Sequence, residues 1–166
     1  MNIHRSRIAI AVFALALLAL SACKKEEAAP VVEAAPLTAP ASTSDNTAWK
    51  AYLADVIKRN SGSVTGQTYA YYLPGEGTPD FDAEYGRLLQ KAKEDAGRGI
   101  IEGNLLAYGS PASAKMADLV VGAFDGAEPG TMKGVKLLFI GNAADSERVK
   151  AAVAPAGVDY VFIEAK

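Results

Sequence analysis

From about Thr47 to the end of the chain, apolar residues recur in two alternating periods. Trp49, Tyr52, Leu53, Val56 and Ile57 fall at i, i+3, i+4, i+7 and i+8, one stripe of a helix. Ser44, Asp45 or Asn46 can cap it and Asn60-Ser61-Gly62 can end it, which predicts α1 over 46–60. Residues 67–73 (QTYAYYL) are rich in aromatic and β-branched side chains and stop at Pro74-Gly75, predicting β1. Asp80 can cap α2, with Phe81, Tyr85, Leu88, Leu89 and Ala92 on its apolar face and Gly97 or Gly99 at its end. Residues 104–108 (NLLAY) predict β2, with Ile100 as an alternative start. Ser110-Pro111 then reads as N-cap and first position of α3, which continues through Met116, Leu119, Val120 and Phe124. A turn-rich break at 125–134 precedes residues 135–140 (VKLLFI), the most continuously apolar of the predicted strands. That run predicts a central strand β3 buried on both faces. Asn142 or Asp145 can cap α4, which runs to Val153; Pro155-Ala156-Gly157 stops it, and residues 158–164 (VDYVFIE) predict β4.

The order α-β-α-β-α-β-α-β argues for parallel βαβ units with right-handed crossovers. The expected fold class is α/β, with a small four-stranded, mostly parallel sheet covered by helices. Its layering resembles flavodoxin-like or Rossmann-like folds. Strand order is open at this level; an order 2-1-3-4 would place a crevice between β1 and β3.

The chain before Thr47 follows neither period. Met1–Arg7 carries His4, Arg5 and Arg7 and no acid, and residues 8–20 (IAIAVFALALLAL) are uncharged and apolar. A bilayer-spanning helix needs roughly 20 such residues. A basic start, a short apolar stretch and small residues before a cut define a secretory signal. Here the small residues run Leu20-Ser21-Ala22-Cys23. This resembles the lipobox of bacterial lipoprotein precursors. The resemblance implies cleavage after Ala22, a thioether-linked diacylglycerol on Cys23 and an acylated new amino terminus. Such an anchor exceeds the two signals that stable membrane attachment requires. Asp directly after the cysteine resembles an inner-membrane retention signal; Lys24 departs from it, so the resemblance favours the outer membrane.

Residues 24–45 (KKEEAAPVVEAAPLTAPASTSD) are dominated by Ala and Pro, with Pro30, Pro36 and Pro40 spaced through the run. Proline breaks helix and biases the chain toward extended conformations, and no apolar face is present to bury. The expectation is a cleaved signal over 1–22, a lipid-bearing disordered tether over 23–45 and one domain over 46–166.

Composition then narrows the chemistry. Net charge is −2 and no basic excess points to nucleic acid. Loss of Arg5 and Arg7 with the signal takes it to −4 and removes His4, the one histidine. Cys23, the one cysteine, is the lipid site that the resemblance implies. Ser-His-Asp and Cys-His catalysis, and His- or thiolate-ligated metal sites, are then excluded within the mature chain. Carboxylate, hydroxyl, Lys, Arg and backbone chemistry remain. No cofactor motif is present: Gly75-x-Gly77 lacks the third glycine of a dinucleotide fingerprint, and no GxxxxGK[ST] occurs. Glu76, Asp80, Asp82 and Glu84 form an acidic cluster after β1, where helix N-termini favour acids in any case.

In open α/β sheets ligands bind beyond the strand C-termini. Three loops leave there, carrying Gly75 and Gly77 after β1, Ser110 and Ser113 after β2, and Asn142, Asp145 and Ser146 after β3. Exposed amides at the following helix N-termini can hold an anion, with Ser110, Ser113, Asn142 and Ser146 as added donors. Turn-making and helix-capping explain the same residues. Tyr69, Tyr71 and Tyr72 put aromatics on both faces of β1, as core or as a partner surface. The leading expectation is a non-catalytic interaction or accessory module. It would be held to the membrane by its N-terminal lipid and have an envelope protein as partner. The alternatives are a small-anion-binding domain and a carboxylate-dependent enzyme acting on envelope glycan.

Overall fold

The computed structural model describes residues 35–166. The expected signal, Cys23 and the first part of the expected tether lie outside them. Helix α1 spans Asn46–Asn60, β1 Thr68–Tyr72, α2 Phe81–Arg98, β2 Leu105–Gly109, α3 Ser113–Phe124, β3 Lys136–Gly141, α4 Ala143–Val153 and β4 Asp159–Glu164. The fold is α/β, with all four strands parallel in one sheet. Among the described residues no helix is long and apolar enough to cross a membrane.

Strand order is β1-β2-β3-β4. The order 2-1-3-4, and with it a crevice between β1 and β3, is not adopted. Each strand instead lies beside the next in sequence. Right-handed crossovers that always step the same way place their helices on one face. Accordingly α2 packs on α3 and α3 on α4, over a core that includes Leu106, Tyr108, Leu137 and Phe139. Register lines up Tyr71, Tyr108, Phe139 and Phe162 as one row across all four strands. Tyr71 and Tyr108 stack at 4.4 Å between centroids, and Phe139 meets Phe162 at 6.3 Å.

The opposite face belongs to α1. Trp49, Tyr52, Leu53 and Val56 pack with Ile140, and Ile57 reaches Leu105, Ala107 and Leu138. The stripe read from the sequence is therefore the buried face, and β3 is central and buried on both sides. Asp45 caps α1 by accepting from the Ala48 N–H at 2.9 Å. Residues 35–45 carry no helix or strand. Leu37 N–H donates to Asp55 at 3.1 Å, Ala39 N–H to the Lys166 carbonyl at 3.0 Å, and the Trp49 indole N–H to the Ser42 carbonyl at 2.9 Å.

Three expected caps are corrected. Asp80 precedes α2, but its φ of 61° is left-handed and its side chain makes no capping bond. The turn is closed instead by the Phe81 N–H donating to the Thr78 carbonyl at 3.2 Å. Helix α3 begins at Ser113 after Ala112, so Ser110-Pro111 lies before it; Ser110 Oγ accepts from the Ala112 N–H at 2.8 Å and makes a turn rather than a cap. Asn142 occupies the N-cap of α4 without a side-chain bond.

Candidate functional site

The loops after β1, β2 and β3 all leave the same edge of the sheet and turn to the same face. With no reversal of strand order, neighbouring loops run side by side and no cleft opens between diverging pairs. The structure brings Ser113, Asn142 and Asp145 together. Ser113 Oγ donates to Asp145 Oδ2 at 2.7 Å and accepts from the Asn142 N–H at 2.8 Å. Gly141 makes this approach possible, since a Cβ there would stand 2.5 Å from Ser113 Oγ. Ser113 and Asp145 are buried, while Asn142 is exposed.

Asp145 is also held from the other side. Arg148 Nη2 donates to its Oδ1 at 2.9 Å and to the Ala114 carbonyl at 2.7 Å, and Nη1 donates to Asp118. The Asp118 hydrogen bond, aided by Asp145 against partial desolvation, raises the Arg148 pKa further above its ordinary value. The network bolts the start of α3 to the start of α4. A hydroxyl that donates to a carboxylate already bound by a guanidinium is neither an activated nucleophile nor a free donor for an anion.

The other expected site residues stand apart from this group. Ser110 is buried and spent on its own turn. Gly75 is buried beneath the N-terminal segment, where a Cβ would meet the Thr43 carbonyl oxygen at 2.5 Å. Gly77 is exposed with open space around it. Among the described residues no three acidic side chains gather as a metal site, and every buried side-chain nitrogen or oxygen has a hydrogen-bond partner.

A second polar cluster escaped the reading of the loops. Asp95 of α2 accepts from the Tyr71 hydroxyl at 2.7 Å, from Lys91 at 2.5 Å and from Arg98 at 2.8 Å. Its signal in the sequence is spacing alone, since Lys91 and Arg98 lie one turn away on either side. Arg148 is readable likewise, three residues after Asp145. Neither spacing reveals that a buried hydroxyl is the third partner.

Replacing Ser113 by alanine is expected to cost about 1–2 kcal/mol, because Asn142 N–H and Asp145 lose a buried partner together. Urea unfolding measures this; a cost near zero would mean that the loops are not joined through Ser113. No protein-family model, curated protein or solved structure matches this chain.

Proposed function

We propose that this chain is a lipid-anchored protein of a bacterial cell envelope, with the outer membrane favoured. Its α/β domain serves as a non-catalytic interaction or accessory module facing the periplasm. The observation that carries the non-catalytic part is the mutual use of Ser113, Asp145 and Arg148. The groups best placed for chemistry are consumed in joining two loops. The anchor rests on Leu20-Ser21-Ala22-Cys23 at the end of a basic and then apolar segment.

The anchor is tested by metabolic labelling with palmitate. Wild type is expected to incorporate label and Cys23→Ser to lose it completely and accumulate as precursor. Equal label in both would sink the assignment. The interaction module is tested by cross-linking the full chain in native membranes and isolating what it holds. A single recurrent envelope protein is expected. Turnover of an envelope glycan by the purified chain would overturn the non-catalytic reading.

A further inference from the structure

Strand β1 ends the sheet, and its outer edge is unpaired among the described residues. Leu105 N–H donates to the Gln67 carbonyl at 2.9 Å, and Leu73 N–H to the Gly109 carbonyl at 3.4 Å. Backbone groups in a strand alternate sides, so Gln67, Tyr69, Tyr71 and Leu73 face β2. The N–H and C=O groups of Thr68, Ala70 and Tyr72 therefore point outward, with no partner among the described residues.

Unpaired groups on an edge strand are a template for another strand, which proteins suppress with charge, proline or a bulge. β4, the other edge, carries exposed Asp159 and Glu164 at its ends. β1 (TYAYY) carries no such device, and Ala70 is exposed at its middle.

Two grooves flank this edge and share Tyr72. On the α1 side an apolar groove of about 200 Å³ lies between Leu53, Ala54 and Ile57 and the sheet at Ala70 and Ala107, with Lys50 among its walls. On the α2 side a groove of about 250 Å³ is lined by Glu84, Arg87, Leu88 and Lys91. The walls thus carry three cations and one acid, in a chain of net charge −2. Lys91 is paired with Asp95, whereas Lys50 and Arg87 have no ion pair among the described residues.

We infer that the outer edge of β1 receives an extended strand of a partner protein whose side chains alternate apolar and acidic. The inference rests on the interaction reading above and names its surface. The added strand bonds to Ala70 and Tyr72 through its backbone. Its apolar side chains enter the groove beside α1, and its acids meet Arg87. A second copy of β1 fits less well, since edge-to-edge pairing would bring two sets of these cations together.

The test uses the full chain in detergent and two short blocked peptides, one alternating Val and Glu and one alternating Val and Lys. Ala70→Pro removes an outward N–H and no β1–β2 hydrogen bond, so the sheet is expected to hold. Wild type is expected to bind the Val/Glu peptide saturably and the Val/Lys peptide several-fold more weakly at low salt. Ala70→Pro should lose both with its thermal midpoint retained, and Arg87→Glu should reverse the preference. Peptide binding unaffected by Ala70→Pro overturns the inference, as does failure of wild type to bind either peptide. So does a wild-type dimer that Ala70→Pro disperses, which would assign the edge to a second copy. Should Ala70→Pro unfold, Arg87→Glu on the exposed face of α2 decides alone, and an unchanged preference overturns the inference. Membrane cross-linking separates the two levels. A partner held equally by wild type and Ala70→Pro keeps the interaction module and overturns the β1 edge. A wild type that binds the peptide but holds no membrane partner upholds the edge and overturns the broader reading.

Discussion

Phe139→Ala is expected to destabilise the domain by about 3–5 kcal/mol, the range for removing a buried aromatic ring from a core that cannot collapse around the loss. Phe139 is fully buried on the central strand β3, between Tyr108 and Phe162 in the register. Strands on both sides and helices above fix the walls of the void. Phe162→Ala, at half-buried β4 on the sheet edge, should cost clearly less. Urea midpoints measure both, with an unchanged slope showing that the unfolded state is the same. Equal costs for the two would mean that the aromatic row is not centred on β3.

Asp95→Ala is expected to cost about 3 kcal/mol, since it strands the Tyr71 hydroxyl and removes the partner of Lys91 and Arg98. Burial works against the Asp95 carboxylate. Hydrogen bonds from Lys91 and Tyr71 and the charges of Lys91 and Arg98 outweigh it and hold its pKa below the ordinary value. A carboxyl with a lowered folded pKa stabilises the fold while ionised. Its contribution is complete above the unfolded pKa of about 3.9 and is lost as pH falls through the folded value. Asp95→Asn keeps an acceptor for Tyr71 without the charge. Its stability deficit against wild type should be full at neutral pH and shrink in acid below about pH 4. Urea midpoints across that range check this, and a deficit independent of pH would show that the charge contributes nothing.

The elements were legible because each carries its own period and punctuation. Trp49 through Ile57 spells one helical stripe, Gly99 ends α2 at positive φ, and Gly157 ends at positive φ the short 3-10 turn Ala154–Ala156 that follows α4. Residues 135–140 read as a central strand because nothing polar but Lys136 interrupts them. Strand order was not legible, since an apolar run marks β3 as central without saying which strands lie beside it. The caps failed for a related reason. Ser110, Asn142 and Asp80 are good capping residue types, but the local backbone decides whether the side chain reaches an amide, and Asp80 sits in the left-handed region. Of the candidate site, the sequence placed Ser113, Asn142 and Asp145 at one edge of the sheet. What it could not supply was their use. Asp118 lies far along the chain from Arg148, and only the packing of α3 on α4 turns these five polar residues into a bolt between loops.

Because strand order follows chain order, each strand can dock as soon as its own crossover helix has formed, without waiting for a remote segment. Such stepwise growth favours rapid folding on the face that carries α2, α3 and α4. Helix α1 breaks the pattern. It is first in the domain sequence, yet its face is completed by Ile140 and Ile163, from the last two strands. The first element made is therefore among the last to be seated. In the folding chain the apolar stripe of α1 meets β2 only in part, through Ile57, and is not fully covered until β3 and β4 arrive. Helix α1 is then the element expected to seat late and to exchange its amide hydrogens before the sheet does.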